Sequence, residues 1–203
     1  MTESVRDGIT VNLVYDGRAA RVTLDNAKVK EIERYYDQCE AQGANEHQIE
    51  ESQKAVAKME AIIGDPDRLR AVAKDFIHHY ETRVAEGATV AGKAMFVCMN
   101  RNIAYDLYKI IVEMRPQWSE KKISEDEAAL TDKEKKELKP IEKIKLVMTR
   151  NKDDEPALYE MLGTKDDRKE FDRQFKNPKS NFKIAIVVDM WLTGFDVPEL
   201  DTI

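Results

Sequence analysis

Cysteine is nearly missing from this chain of 203 residues: there are two, Cys39 and Cys98, far apart and in unrelated contexts. Without a CxxC or a Cys/His spacing there is no zinc site or disulfide framework to read, and reduced thiols are expected. No uninterrupted apolar run approaches the roughly 20 residues that cross a bilayer. The opening residues Met-Thr-Glu-Ser-Val-Arg-Asp contain no apolar signal region. A soluble, cytoplasmic protein is the expectation. A basic excess is also missing: 33 Lys and Arg stand against 39 Asp and Glu, a formal net charge of -6. That excludes a protein coating nucleic acid through its overall charge, but not a local phosphate-binding groove, because only the field at the site matters. No Gly-x-x-x-x-Gly-Lys-Ser/Thr is present to cradle β- and γ-phosphates. Neither a paired acidic motif after an apolar strand nor the acidic pair and lysine of a metal-dependent nuclease is found.

Charged residues, by contrast, are abundant at 35% and aromatics few at 7%, which suits a helix-rich protein with much exposed surface. Residues 8–24 read as a β-hairpin: Ile9, Val11, Leu13 and Tyr15 alternate, Asp16-Gly17 supplies the turn, and Ala20, Val22 and Leu24 return. From Asp25 to about Gly87 the period is helical. Val29, Ile32, Tyr36 and Cys39 form one stripe, and Ile49, Val56, Met59 and Ile63 a second. Gly64 ends that helix; Asp65-Pro66 starts a third, with Asp as N-cap and Pro at the first position. Its stripe is Leu69, Val72, Ala73, Phe76, Ile77 and Tyr80. His78 and His79 at its edge have no partner at ligand spacing.

From Gly92 the chain alternates strand and helix. Ala94 to Met99 is a buried strand, and Ile103 to Val112 an amphipathic helix that Asn100 can cap. The free N–H groups of such a helix start make an anion site beside Arg101; an ordinary cap beside a solvated arginine is the plainer alternative. Ser119 to Lys139 is almost all Glu, Lys and Asp, and reads as a mobile, solvated excursion or an exposed helix. Ile144 to Met148 resumes as a strand ending in Thr149-Arg150. An acidic loop (Asp153, Asp154, Glu155), a helix through Tyr159 and Leu162, and a helix from Asp166 to Phe175 follow. Ile184 to Val188 is a continuous β-branched run, the mark of a strand covered on both faces. It runs into Asp189-Met190-Trp191-Leu192-Thr193-Gly194-Phe195-Asp196-Val197-Pro198. The alternation predicts an α/β fold with a mainly parallel sheet, preceded by a β-hairpin and a helical segment. Right-handed crossovers bring the polar ends at Asn100-Arg101, Thr149-Arg150 and Asp189–Asp196 to one edge. Amides, hydroxyls, guanidinium groups and helix N–H groups together are what a phosphate backbone needs.

Lys93 to Met114, Lys145 to Arg150 and Phe182 to Ile203 resemble the second RecA-like motor domain of a superfamily 2 helicase or translocase. The form Val-Val-Asp-Met-Trp-Leu-Thr-Gly-Phe-Asp-Val-Pro-Glu-Leu-Asp-Thr (187–202) most closely resembles the restriction (R) subunit of type I restriction-modification enzymes, where it is motif V; Phe96 to Arg101 matches motif IV. The resemblance implies three parts: residues 1–24 as the end of a preceding motor domain, 25–91 as a helical linker or insertion, and 92–203 as a partial second RecA-like domain. It implies a piece of a much longer polypeptide that hydrolyses ATP with Mg2+, translocates double-stranded DNA and cuts it, beside specificity and modification subunits. Asn100, Arg101, Thr149, Arg150 and Thr193 would lie on the DNA; Gly194, Phe195, Asp196 and Asp189 would face the nucleotide cleft. Asp189 can equally be a loop-holding acceptor of backbone N–H groups. Trp191 reads as a packing anchor rather than a platform for bases, since duplex translocases grip phosphates. Without the phosphate loop, no catalysis by this chain alone is expected. The alternatives are another superfamily 2 motor, of type III restriction or remodeller kind, and a non-catalytic DNA- or protein-binding module.

Overall fold

The computed structural model describes residues 59–191 and 195–203. The hairpin expected at 8–24, the helices expected over 25–58, and Thr193 and Gly194 lie outside the described residues.

Helix α1 (Pro66–Ala85) starts as the Asp-Pro pair dictates. The Asp65 carboxylate accepts the Asp67 and Arg68 N–H groups at 3.1 Å, and proline occupies the first turn, where its missing N–H costs nothing. It buries Leu69, Ala73, Phe76, Ile77 and Tyr80, the stripe its periodicity predicts. Gly92, at φ +64°, then turns the chain into β1 (Lys93–Val97). Tyr80 donates its hydroxyl to the Gly92 carbonyl at 2.9 Å, so the end of α1 and the start of β1 are tied together. Helix α2 (Arg101–Met114) follows, capped by Asn100, which accepts the Ile103 N–H at 2.9 Å. Strand β2 (Ile144–Val147), helices α4 (Pro156–Met161) and α5 (Lys165–Lys176), β3 (Ile184–Val187) and β4 (Leu200–Thr202) complete the alternation.

The four strands form one sheet in the order β2-β3-β1-β4, with every pairing parallel. The fold is α/β, as expected. Val97 and Val147 both lie opposite Val187, so three strands end at one level. The connection from β1 to β2 moves one way along the sheet and that from β2 to β3 moves back. Right-handed crossovers therefore put α2 on one face and α5 on the other. The packing agrees. Ala94, Cys98, Ile144, Leu146, Ile184 and Ile186 meet α1 and α2, whereas Met95, Val147, Ala185 and Val187 meet Phe175 and Phe182. Burying both faces of β2 and β3 is what makes their sequences continuous apolar runs. Strand β1 is shorter and less enclosed than its sequence suggests: it stops at Val97, and Val97 and Met99 are 40% and 43% exposed.

Residues 115–140, expected as a mobile, solvated excursion or an exposed helix, hold an exposed helix within an ordered segment. They fold over the amino end of the sheet through two short 3-10 turns (Pro116–Ser119 and Glu127–Ala129), the helix α3 (Asp132–Glu137) and a bridge between Lys122 and Ile141. The isolated apolar residues are the reason: Trp118, Leu130, Leu138 and Ile141 are each buried, one to a turn. Helix α3 is solvated, as are the turn Glu127–Ala129 and much of the connecting chain, and α3 is held by a Thr131–Glu134 capping box.

The same end of the sheet buries cations. Lys93 donates Nζ to the Phe182 carbonyl at 2.5 Å and stands 5.1 Å over the Phe175 ring. Lys183 donates to the Pro178 carbonyl at 2.7 Å, and Lys143 to Glu125 at 2.6 Å, above the rings of Tyr80 and Trp118. Burial, with the nearby Lys183 charge adding to it, pulls the Lys93 ammonium down to about 7. Burial lowers Lys183 as well.

Candidate functional site

At the carboxyl edge, β1 and β3 are neighbours whose outgoing chains leave on opposite faces. The β1 chain enters α2 against one core. The β3 chain passes through Trp191 and Phe195 against the other. Such a switch point opens a crevice between two strand ends, where open α/β sheets bind their ligands. Here those strand ends are Cys98–Asn100 and Val188–Met190, with β2's Thr149 and Arg150 beside β3.

Arg101, at the first position of α2, reaches across to the end of β2. Its Nη1 donates to the Thr149 carbonyl at 2.6 Å, and its Nη2 and Nε donate to Asp154 Oδ1 at 2.6 and 3.2 Å. Asp154 is 6% exposed and also accepts the Asn151 N–H at 2.7 Å. The predicted pair Arg101 and Thr149 is thus brought together, but with the guanidinium fork on a carboxylate of this chain. Arg150 is different. Its guanidinium carbon stands 4.4 Å over the Tyr159 ring, its Nε is buried without a hydrogen-bond partner, and it forms no ion pair among the described residues. Asp167 is its electrostatic neighbour. The Asp167 carboxyl is held below its usual range first by the Thr164 N–H and hydroxyl, with Arg150 contributing less.

Past β3 the backbone leaves ordinary strand geometry. Asp189 and Trp191 take φ of +51° and +62°, a region that side chains other than glycine rarely enter. Trp191 is held by an aromatic stack: it lies on Phe195 with centroids 4.2 Å apart and planes within 6°, and both stack on Phe175. Trp191 is an anchor of packing, as its surroundings in sequence suggest. Phe195, expected at the nucleotide cleft, spends its ring in the same stack, while Asp189 and Asp196 are exposed. Cys98 is buried below the crevice, and burial pushes its thiol up to about 12, which leaves it an inert packing group.

The residues described do not by themselves cradle nucleotide phosphates. Gly87 to Lys93 approaches phosphate-loop spacing, but Ala94 stands where the hydroxyl is required, and the segment enters a strand instead of a helix. Lys93 is buried at the opposite edge. Among the described residues no group of three or more His, Cys, Asp or Glu is placed to hold a metal ion, and no helix is long and apolar enough to cross a membrane. Sequence reading missed Asp154 as a partner and Tyr159 as a platform. Their mates lie elsewhere in the chain, Arg101 being 53 residues before Asp154. An acidic loop directly after a strand end was the available signal.

A four-stranded, all-parallel sheet with helices on both faces and polar side chains at its carboxyl strand ends defines the class as an open α/β domain. Over its whole length the chain is similar to endonuclease subunits of type I restriction enzymes. It is 31% identical over 206 aligned positions to the type I restriction enzyme HindI endonuclease subunit of Haemophilus influenzae, covering 100% of this chain. Against a Methanocaldococcus jannaschii protein provisionally assigned as the type I restriction enzyme MjaIXP endonuclease subunit, it is 34% identical over 199 positions, 97% of this chain. The chain spans 16% of the length of each of these relatives. No family model matches the chain, and no solved structure matches it.

Proposed function

We propose that the chain is part of the second RecA-like motor domain of a type I restriction enzyme's R subunit, an ATP-dependent DNA translocase and site-specific deoxyribonuclease in the whole protein. The observation that carries the reading is the similarity of 97–100% of the chain to type I restriction endonuclease subunits. The level strand ends support it. In this reading Asn100, Thr149, Arg150 and Thr193 line the track for double-stranded DNA, and Arg101 braces it by tying the start of α2 to the end of β2. Asp189, Gly194, Phe195 and Asp196 face a nucleotide cleft whose phosphate loop and Mg2+ ligands come from another domain. Specificity and modification subunits are the partners, and the compartment is the cytoplasm.

The work assigned to these residues is positional. Asn100 fixes the start of α2, so the N–H groups of its first turn face the crevice where phosphate oxygens would accept from them. The stacked Trp191 and Phe195 hold the loop after β3 against α5, so that a displacement of DNA is felt by the same loop that faces nucleotide. The test is duplex binding by the chain as a function of KCl, with an ATPase assay in Mg2+. Duplex binding with a linear fall of log K against log salt, and no ATP turnover, is the expected result. Turnover of ATP by the purified chain, surviving purity controls, overturns the assignment of the phosphate loop to another domain. Binding that does not weaken as salt rises overturns the DNA track.

A further inference from the structure

The two arginines at the strand ends are not equivalent, and their surroundings separate them. Arg101 spends Nε and Nη2 on Asp154 and one Nη1 donor on the Thr149 carbonyl. The Asp154 side chain is almost wholly buried and, among the described residues, otherwise accepts only the Asn151 N–H. Withdrawing Arg101 to meet an external phosphate would leave that carboxylate buried without its counter-charge, a large penalty. Arg101 therefore stays paired. Its charge is neutralised within the chain, and it has few counterions to release on binding DNA.

Arg150 has the opposite character. It lies next to Thr149 at the same strand end, its guanidinium plane rests on Tyr159, and neither an ion pair nor a hydrogen bond occupies it among the described residues. Tyr159 is 41% exposed, in the helix that follows the acidic loop. A ring beneath a guanidinium fixes the plane of its fork without consuming any of its donors, which all lie in that plane. Asp167, the carboxylate acting on Arg150, already accepts the Thr164 N–H and hydroxyl through Oδ2 at 2.7 Å.

The geometry points to Arg150, positioned by the ring of Tyr159, as the phosphate-binding cation at this end of the sheet, with Arg101 a tie between β1 and β2 rather than a DNA contact. The inference rests on the DNA-track reading above and assigns its charge to one residue. Tyr159 acts through Arg150 and is a positioning residue.

The experiment measures binding of the full chain to a short fluorescein-labelled duplex across a KCl titration, with thermal melting of every variant as a control. Arg150→Gln is expected to lower affinity about tenfold near 0.1 M salt and to reduce the salt slope by about one. Tyr159→Leu moves both quantities the same way by a smaller amount, while Tyr159→Phe, which keeps the ring, restores them. Arg101→Gln lowers the melting temperature and leaves the slope unchanged. If Arg101→Gln reduces the slope and Arg150→Gln does not, the assignment is overturned while the DNA track stands. If Tyr159→Leu lowers melting but leaves the slope intact, the positioning role of Tyr159 is overturned. Absence of salt-dependent binding by the unaltered chain sinks both the track and the assignment.

Discussion

The same strands end in two different ways. At the amino edge, Lys93, Lys143 and Lys183 each lie among aromatic rings or backbone, and each is answered by one internal acceptor: the Phe182 carbonyl, Glu125 and the Pro178 carbonyl. Trp118 and the turns of 115–140 close over them. At the carboxyl edge, Met99 and Val97 are exposed, Arg150 has an unanswered Nε, and two residues hold left-handed backbone. Unsatisfied groups and strained dihedrals cost stability and persist where surrounding structure over-determines them, commonly at binding sites. One end of the sheet is closed by the chain's own side chains and the other is left open. Charge alone would have been no guide, because both edges are rich in cations; what sets the carboxyl edge apart is Arg150, which has no acceptor among the described residues, whereas Lys93, Lys143, Lys183 and Arg101 each have one.

Variants at each edge can break that division. The largest effect is expected from Trp118→Ala: removing a 4%-exposed ring packed edge-on to Tyr80 should cost roughly 3–5 kcal/mol in urea unfolding. Binding of DNA per folded molecule should not change; if it does, the amino edge is no mere foundation. Next is Asp154→Ala, which strands a partly buried arginine and should cost about 3 kcal/mol, with much of the loss recovered in an Asp154→Leu/Arg101→Met double variant. Failure of the double variant to recover would mean that the pair carries more than its own charge balance.

Lys93→Met probes the amino edge through pH. Burial sets the folded-state ammonium at about 7, well under the ordinary lysine value of 10.5. Because the unfolded chain holds the proton more tightly, the wild-type penalty is fully present below pH 7 and fades as pH rises toward 10.5. Glu199 and Glu125 oppose the shift and Lys183 reinforces it. The variant should therefore melt above wild type at pH 6, by a margin on the order of 1–3 kcal/mol, and lose that advantage by about pH 10. A margin independent of pH would show that the lysine is not charged in a buried position. The smallest effect is expected from Asp189→Gly. Relieving φ +51° should raise stability by about 0.5–1 kcal/mol in a melting experiment if the side chain is solvated. A loss instead would identify the carboxylate as a loop-holding acceptor, the alternative that its sequence leaves open.

The parts of the fold legible in sequence were those written by local rules. Asp65-Pro66 and Asn100 mark helix starts through caps that need only their neighbours. The runs at 144–147 and 184–187 mark strands covered on both faces because no polar residue but Lys145 interrupts them. Lys145 itself lies over the Phe171 ring with Glu142 as partner, which is how a cation fits inside an apolar run. Residues 115–140 were illegible for the converse reason. Their net composition is that of a solvated segment, and the few residues that order it are decided by a surface supplied by distant parts of the chain. The site followed the same line. That Asn100, Arg101, Thr149, Arg150 and Asp189 share one edge follows from crossover handedness, whereas the choice of acceptor for Arg101 depends on a loop that periodicity does not place.

Strand β1 has one further consequence, in the order of events when the chain is made. Its two hydrogen-bonding neighbours are β3 and β4, and the contact that seats its first residue, Lys93 on Phe182, spans 89 residues. At a synthesis rate of about 5–20 residues per second, β1 exists for roughly 5–20 s before either neighbour has been translated. During that time α1 and α2 can cover one of its faces, since both are encoded beside it, but neither of its edges can be paired. An unpaired apolar strand is the segment most prone to join another chain. The sheet's central strand is therefore also the point at which this protein is most exposed to misassembly while it is being born.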